Sequence, residues 1–384
     1  ANGNPQGTKV SITSGAFEAS SSSVSVLGAG STAITLSGLI PNTAYTLKTR
    51  TENYNNIAST ETTVASTTTV SNNITVSGYK VNTTSAVITV NANGNPDGTQ
   101  IVVSTGANNH FGVSLSSIGR ISGSLTTLTI FNLSTNTVYG LQAGSLNVDG
   151  STNPVSVTGT TTTLSVSPVL VSFVMYNTSA AVTLGLNTNP AGTTLVITTG
   201  AFEVSSSSSG AVTTLTLSSL IPNTVYTILA RSENGTGAVS ESITAASTGT
   251  FAYVPGANSF TAVNITSISL QFGANNNPLT PSTSYQVQVS SNANFAEPVS
   301  SSETFTLNAS SLTLLANTSY YFRTAAYHRF GGKTDYNSAI ATFTLTRSPG
   351  VVSYVVERTS ISVTVSANGN PQGTKVSITS GAFE

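Results

Sequence analysis

The sequence predicts an all-β protein, a tandem array of β-sandwiches set end to end. Three features predict it: a composition suited to strands and turns, hydrophobic residues recurring at every second position, and an internal repeat about 90 residues long, the size of one sandwich.

Composition sets the class. Of 384 residues, 7 % are charged, far below the about 25 % usual for soluble domains. Low charge here does not signal disorder: 38 % of residues are hydrophobic, and 32 glycines raise the apolar fraction to about 46 %, enough to bury a core in each unit. The polar remainder is mostly Ser, Thr and Asn. Threonine fits the pleated face of a strand, and Asn, Ser and Gly fit turns, whereas the Leu, Glu, Lys and Ala mixture of amphipathic helices is thin. Almost no helix is expected.

The strands follow in order along the chain. Lys9-Val10-Ser11-Ile12-Thr13 alternates polar and apolar residues, as does Tyr45-Thr46-Leu47-Lys48-Thr49, and with Thr194-Leu195-Val196-Ile197 these segments read as half-buried strands. Turn clusters such as Asn2-Gly3-Asn4-Pro5 and Glu233-Asn234-Gly235-Thr236-Gly237 recur every ~8–12 residues, the spacing of a sandwich. The longest apolar stretch, Pro168 to Tyr176, is half the ~20 residues needed to span a bilayer and reads as a buried strand.

The repeat has two levels. Ala1 to Glu18 reads ANGNPQGTKVSITSGAFE, and Ala367 to Glu384 repeats it residue for residue at an offset of 366. The chain therefore reads as one full period of a longer array plus an overlap, with ends that are not natural termini and any signal peptide outside it. Within the period a weaker unit recurs, marked by an Asn-Pro turn at Pro5, Pro96, Pro190, Pro278 and Pro371, spaced 91, 94, 88 and 93 residues apart. A second marker keeps step: PNTAY ending at Tyr45, TNTVY at Tyr139, PNTVY at Tyr226 and ANTSY at Tyr320. The predicted units are 1–72, a partial domain lacking its first strands, then 73–163, 164–252 and 253–346, and finally 347–384, the first strands of the next domain. Joints near residues 72, 164, 253 and 347 leave little linker, which predicts a stiff rod.

The segment Leu220-Ile221-Pro222-Asn223-Thr224-Val225-Tyr226, followed by Ile228, Ala230, Glu233-Asn234 and Gly235, resembles the hallmark of fibronectin type III domains. The resemblance implies seven-stranded Ig-like sandwiches along the whole chain, with the Tyr opening strand F and forming a tyrosine corner. Carried over position by position, the corner residues are Tyr45, Tyr139, Tyr226 and Tyr320, with the Pro missing before Tyr139 and replaced by Ala316 before Tyr320. The Asn-Pro-x-Gly-Thr turn, intact at Asn4 to Thr8, Asn95 to Thr99 and Asn189 to Thr193, is similar in style to repeat-rich bacterial surface proteins. That likeness implies an extracellular or cell-surface location on a bacterium. One departure stands out: the family usually carries a Trp on strand B, and this chain has none. Val90, Leu184, Phe272 and Val365 are expected in that inward region, which implies a thinner core.

No motif points to catalysis. Hydrolysis needs paired carboxylates, a nucleophile with its base, or a metal, and only 13 Asp and Glu and two His are spread over the repeats, with His110 and His328 in different units. No Gly-x-Ser-x-Gly elbow, calcium loop or phosphate loop occurs. Neither an enzyme nor a cofactor is expected. A net charge of −1 removes the basic footprint of a nucleic-acid binder, and no run of Lys or Arg marks a membrane surface. Zero Cys means neither a disulfide framework nor a thiolate metal site. Eight Asn-x-Ser/Thr sequons, at Asn73, Asn82, Asn132, Asn177, Asn234, Asn264, Asn308 and Asn317, match what this composition produces without selection, so glycans are an open partner class. The Ser runs Ser20 to Ser23 and Ser205 to Ser209 read as solvated loops, with O-glycosylation or packing between subunits as the alternative.

The leading functional expectation is a non-enzymatic building block of an extracellular fibre, sheath or surface layer that self-associates with further copies or periods of the array. Faces with few charges cost little to desolvate when they meet. The alternative is the stalk of an adhesin or binding protein whose recognition domain lies elsewhere. A candidate interface is the loop Ala326 to Tyr336, which gathers Tyr327, His328, Arg329, Phe330, Lys333 and Tyr336, whereas Thr51 to Asn56, Asn147 to Gly150 and Glu233 to Gly237 are plainer. Aromatics and Arg are enriched at interface hot spots. The loop is either a once-per-period contact to a neighbouring rod or ligand, or a longer hairpin covering its own domain's edge.

Overall fold

The computed structural model describes residues 2–15, 22–106, 115–153, 156–280, 283–296 and 298–381. Among them there is no helix, and every strand pairing is antiparallel. His110, Ser20 and Ser21 lie outside the described residues. The chain forms two compact units, one of residues 1–167 with 186–194 and 232–241, the other of 168–185, 195–231 and 242–384.

In the first unit, β1 (Lys9–Thr13), β2 (Ser22–Val26), β3 (Ala44–Glu52) and β4 (Thr62–Thr68) form one sheet in the order β2-β1-β3-β4. A complete sandwich follows. Its three-stranded sheet runs β5-β6-β9, from β5 (Thr75–Val81), β6 (Ala86–Asn91) and β9 (Leu125–Ile130). Its four-stranded sheet runs β8-β7-β10-β11, from β7 (Gln100–Ser104), β8 (Ser116–Arg120), β10 (Val138–Ser145) and β11 (Ser156–Thr162). Alternation puts Ala86, Ile88 and Val90 of β6 inward, where they pack with Ile101, Val103 and Leu141 of the facing sheet.

The second unit repeats this design. β12 (Val169–Met175), β13 (Ala180–Gly185) and β16 (Val212–Leu217) pair as β12-β13-β16, facing β15-β14-β17-β18 built from β14 (Thr194–Thr198), β15 (Glu203–Ser207), β17 (Val225–Glu233) and β18 (Ile243–Gly249). Next, β19 (Asn258–Val263), β20 (Ile268–Phe272) and β23 (Asn308–Ser311) pair as β19-β20-β23. They face β22-β21-β24-β25, from β21 (Tyr285–Ser290), β22 (Pro298–Thr304), β24 (Ser319–Ala326) and β25 (Ile340–Phe343). A ribbon of β26 (Gly350–Val356) and β27 (Ile361–Ser366) ends the unit. Three and four strands in this order, with the first, second and fifth on one sheet, make each complete sandwich a seven-stranded fibronectin type III-like fold. The chain is thus an all-β series of Ig-like sandwiches.

Three sequence expectations need correction. The Ser runs are not solvated loops where they are described: Ser22 and Ser23 open β2, Ser205 to Ser207 lie on β15, and Ser208 is buried. The run Pro168 to Tyr176 is not a buried strand: on β12, Val169 is 49 % exposed, Val171 57 % and Phe173 42 %. β12 is an edge strand bonded only to β13, and a bulge between Leu170 and Ser172 breaks its alternation, so apolar residues fall on both faces. Of the four residues expected inward on the second strand, Val90, Leu184 and Phe272 are buried, but Val365 on β27 is 37 % exposed because its ribbon carries only two strands.

Candidate functional site

The two markers that recur in the sequence meet in space, at the short junctions between one sandwich's last strand and the next one's first. The first three junctions are each assembled from three turns, and the one around Arg347 from the first two of them.

The first turn precedes β3, β10, β17 or β24. The hydroxyls of Tyr45, Tyr139, Tyr226 and Tyr320 accept the backbone N–H five residues earlier, from Ile40, Ser134 and Ile221 at 2.9 Å and from Leu315 at 3.0 Å. A second clamp comes from Thr69, Thr163, Thr250 and Thr344. Each accepts the N–H of the marker threonine 26 residues earlier, Thr43, Thr137, Thr224 or Thr318, at 3.0 Å. Each also donates to a carbonyl of the same turn, Ile40, Ser134, Ile221 or Leu315, at 2.5–2.7 Å. Sequence reading missed these threonines, though their constant spacing from the NTxY marker is a signal that finds them. Held this way, Asn42, Asn136, Asn223 and Asn317 take φ of 47°, 43°, 47° and 46°, the left-handed region that Asn tolerates better than most residues.

The second turn is the Asn-Pro marker. Asn95, Asn189, Asn277 and Asn370 each form a two-way amide pair with a junction residue: the backbone N–H of Asn72, Val166, Tyr253 or Arg347 donates to Oδ1 at 2.6–2.9 Å. Their Nδ2 groups donate back to the same residues' carbonyls at 2.8–2.9 Å. The turn threonine then receives the NTxY asparagine of the preceding sandwich: Asn42 Nδ2 donates to Thr99 Oγ1 at 3.2 Å, Asn136 to Thr193 at 2.7 Å, Asn223 to Thr283 at 3.2 Å and Asn317 to Thr374 at 2.8 Å. In the third of these the Asn-Pro turn is longer, Pro278 to Thr283, yet a threonine still ends it.

The third turn follows β10, β17 or β24. Asn136 Oδ1 accepts the Gly235 N–H at 3.0 Å, and Asn223 Oδ1 accepts the Arg329 N–H at 2.8 Å. In the first junction Asn42 Oδ1 is buried without a partner among the described residues, and Asn147 instead accepts the N–H of Ser71 at 2.7 Å. His328 occupies the place of Asn147: its Nδ1 accepts the Ala252 N–H at 2.9 Å. Its ring stacks on Phe330 with centroids 5.5 Å apart, and both rings meet Phe251, at 5.2 and 5.3 Å. A Cβ at Gly249 would lie 2.8 Å from Phe330, so only glycine lets that ring settle. Burial holds the His328 imidazole below its ordinary range.

The six candidate interface residues therefore divide. His328, Phe330 and the Arg329 backbone face the junction before their own sandwich, and the Tyr327 carbonyl accepts Asn223 Nδ2 at 3.2 Å. Lys333 and Tyr336 lie over the four-stranded sheet. Lys333 Nζ donates to Gln286 Oε1 at 2.6 Å, and the Arg323 guanidinium is sandwiched between Phe295 and Tyr336, 4.0 and 4.1 Å from their centroids. Among the described residues no group of three or more His, Cys, Asp or Glu is placed to hold a metal, and no helix is long and apolar enough to cross a membrane.

No family model and no curated protein matches the chain. Among solved structures it is similar to one described as the crystal structure of chicken CNTN1 FN1-FN3 domains. The identity is 12 % and the TM-score 0.23, over 70 % of this chain and 98 % of that one. The fold assignment rests on the strand orders given above.

Proposed function

We propose that this chain is a non-enzymatic building block of an extracellular fibre, sheath or surface layer on a bacterium, with joints near residues 72, 164, 253 and 347. One observation carries the reading: the same asparagine-to-threonine junction recurs at four successive places, at spacings of 57, 57, 60 and 57 residues. A linker free to bend has no use for a repeated three-turn clasp, whereas a protein that must hold its modules at set angles does. A surface with few charges suits packing between neighbouring arrays. Lys333 and Tyr336 are the part of the fourth repeat's loop best placed for such a contact.

Electron microscopy and sedimentation of the purified chain test this. Bundles or sheets held by contacts between arrays are the expected result. Single unbranched strings that stay monomeric at high concentration would overturn it in favour of a stalk that presents a recognition domain.

A further inference from the structure

In two junctions an asparagine is engaged from both sides: Asn136 by Thr193 and Gly235, and Asn223 by Thr283 and Arg329. The same pair of receiving groups stands together in the first unit, at Thr8 and at Asn53-Tyr54. Thr8 is buried, and its hydroxyl donates to the Pro5 carbonyl at 2.8 Å, just as Thr193 and Thr374 donate to Pro190 and Pro371 at 2.7 Å. With its proton so placed, a hydroxyl keeps lone pairs for an incoming amide. Thr193 and Thr374 use theirs for Asn136 and Asn317. The nearby loop is also preset. Asn53 Oδ1 accepts the N–H groups of Asn55 and Ile57 at 2.9 Å, the closure by which Asn234 Oδ1 accepts Thr236 at 3.0 Å and Ala238 at 2.8 Å. Between the two turns lies a cavity of about 230 Å³ lined by Gly7, Thr8, Lys9, Asn53 and Tyr54. Tyr54 is 82 % exposed and Ile57 65 %.

We propose that the Thr8 turn and the Asn53 to Ile57 loop together form a docking face for the turn equivalent to that of Asn317 in the period that precedes them in the array. Sequence identity specifies the occupant. Thr374, which accepts Asn317, lies in the segment that repeats Ala1 to Glu18, and Thr8 is its counterpart there. In the docked state the Tyr54 N–H donates to Asn317 Oδ1, as Arg329 donates to Asn223. Asn53 Nδ2 donates to the Thr344 carbonyl, as Asn234 donates to Thr163 at 3.2 Å. The inference rests on the array reading, and it names the contact by which one period follows another.

A chain extended beyond Glu384 by a second copy of residues 19–72 tests it, read by hydrogen exchange at the Tyr54 amide of each copy. The second copy's amide is expected to exchange at least about tenfold more slowly than the first copy's. Asn317→Gly keeps the left-handed backbone, deletes the side-chain amide and should erase that difference. Equal exchange in both copies of the parent extended chain, or protection that survives Asn317→Gly, overturns the proposal. Should the chains bundle while both amides exchange alike, the docking face is wrong and the array reading stands. Protection without bundling supports the docking face and removes the lateral one.

Discussion

Single hydroxyls and one imidazole decide how firmly the turns at the junctions are held. The Tyr226 hydroxyl accepts the Ile221 N–H at 2.9 Å, and Thr250 bonds the carbonyl of the same residue, so both backbone groups of Ile221 are tied. Tyr226→Phe leaves that N–H without its partner and is expected to destabilise the sandwich by about 1–2 kcal/mol, measured by denaturant unfolding. An unchanged midpoint would mean that the threonine alone holds the turn. His328 brings pH dependence to one junction only. Its Nδ1 must be unprotonated to accept the Ala252 N–H, and burial lowers its pKa from the ordinary 6.5. The charged neighbours Arg329 and Lys333 sit on its own loop, whereas Thr248 to Ala252 and Leu220 to Thr224 carry no charge. The folded state binds the proton less readily than the unfolded one, so this stabilisation is complete above the ordinary value. It is lost as pH falls through 6.5 toward the lower folded value. Melting of the wild-type chain should therefore show an acid-sensitive step near this junction, and His328→Asn, the residue standing at Asn147 and Asn234, should flatten it.

Among the elements, the Asn-Pro turn matters more to the junction than any strand does. Asn189 is 6 % exposed and makes three bonds with its amide: it accepts the Val166 N–H and donates to the carbonyls of Val166 and Leu186. Asn189→Ala breaks all three and strands buried backbone groups, at a cost of about 2–4 kcal/mol. Hydrogen exchange should report the loss around Val166 first, and exchange left unchanged there would show that the turn does not hold the junction. The first strands of the sandwiches illustrate another device. β5, β12, β19 and β26 all carry a bulge near their middle, after Val76, Leu170, Phe260 and Val351. A bulge twists an edge strand away from simple pairing with another edge, which protects a chain of exposed Val and Phe from strand-to-strand aggregation.

For the whole molecule, a small number of charged residues and a large number of side-chain amides have divided roles. Ion pairs among the described residues are few and partly exposed, such as Lys48 with Glu61 at 3.1 Å, and contribute little. The amides and hydroxyls do the orienting, because Asn, Thr and Ser can donate and accept at once and need no counterion when buried. The sequence by itself determined the all-β class, the repeat length and the register of the two markers. Each of these is written in local periodicity and turn chemistry, which act over a few residues. Tertiary structure alone decided that the two markers touch, since Asn136 and Thr193 are 57 residues apart and no local pattern relates them. It also decided that Val171 and Phe173 face outward, because an apolar run reads the same on an edge strand as on a central one until its neighbours are known. The loop at His328 was legible as unusual by its composition. Which way it faces was set by Phe251 and by the absence of a side chain at Gly249, contacts made across a junction and carried by no single stretch of chain.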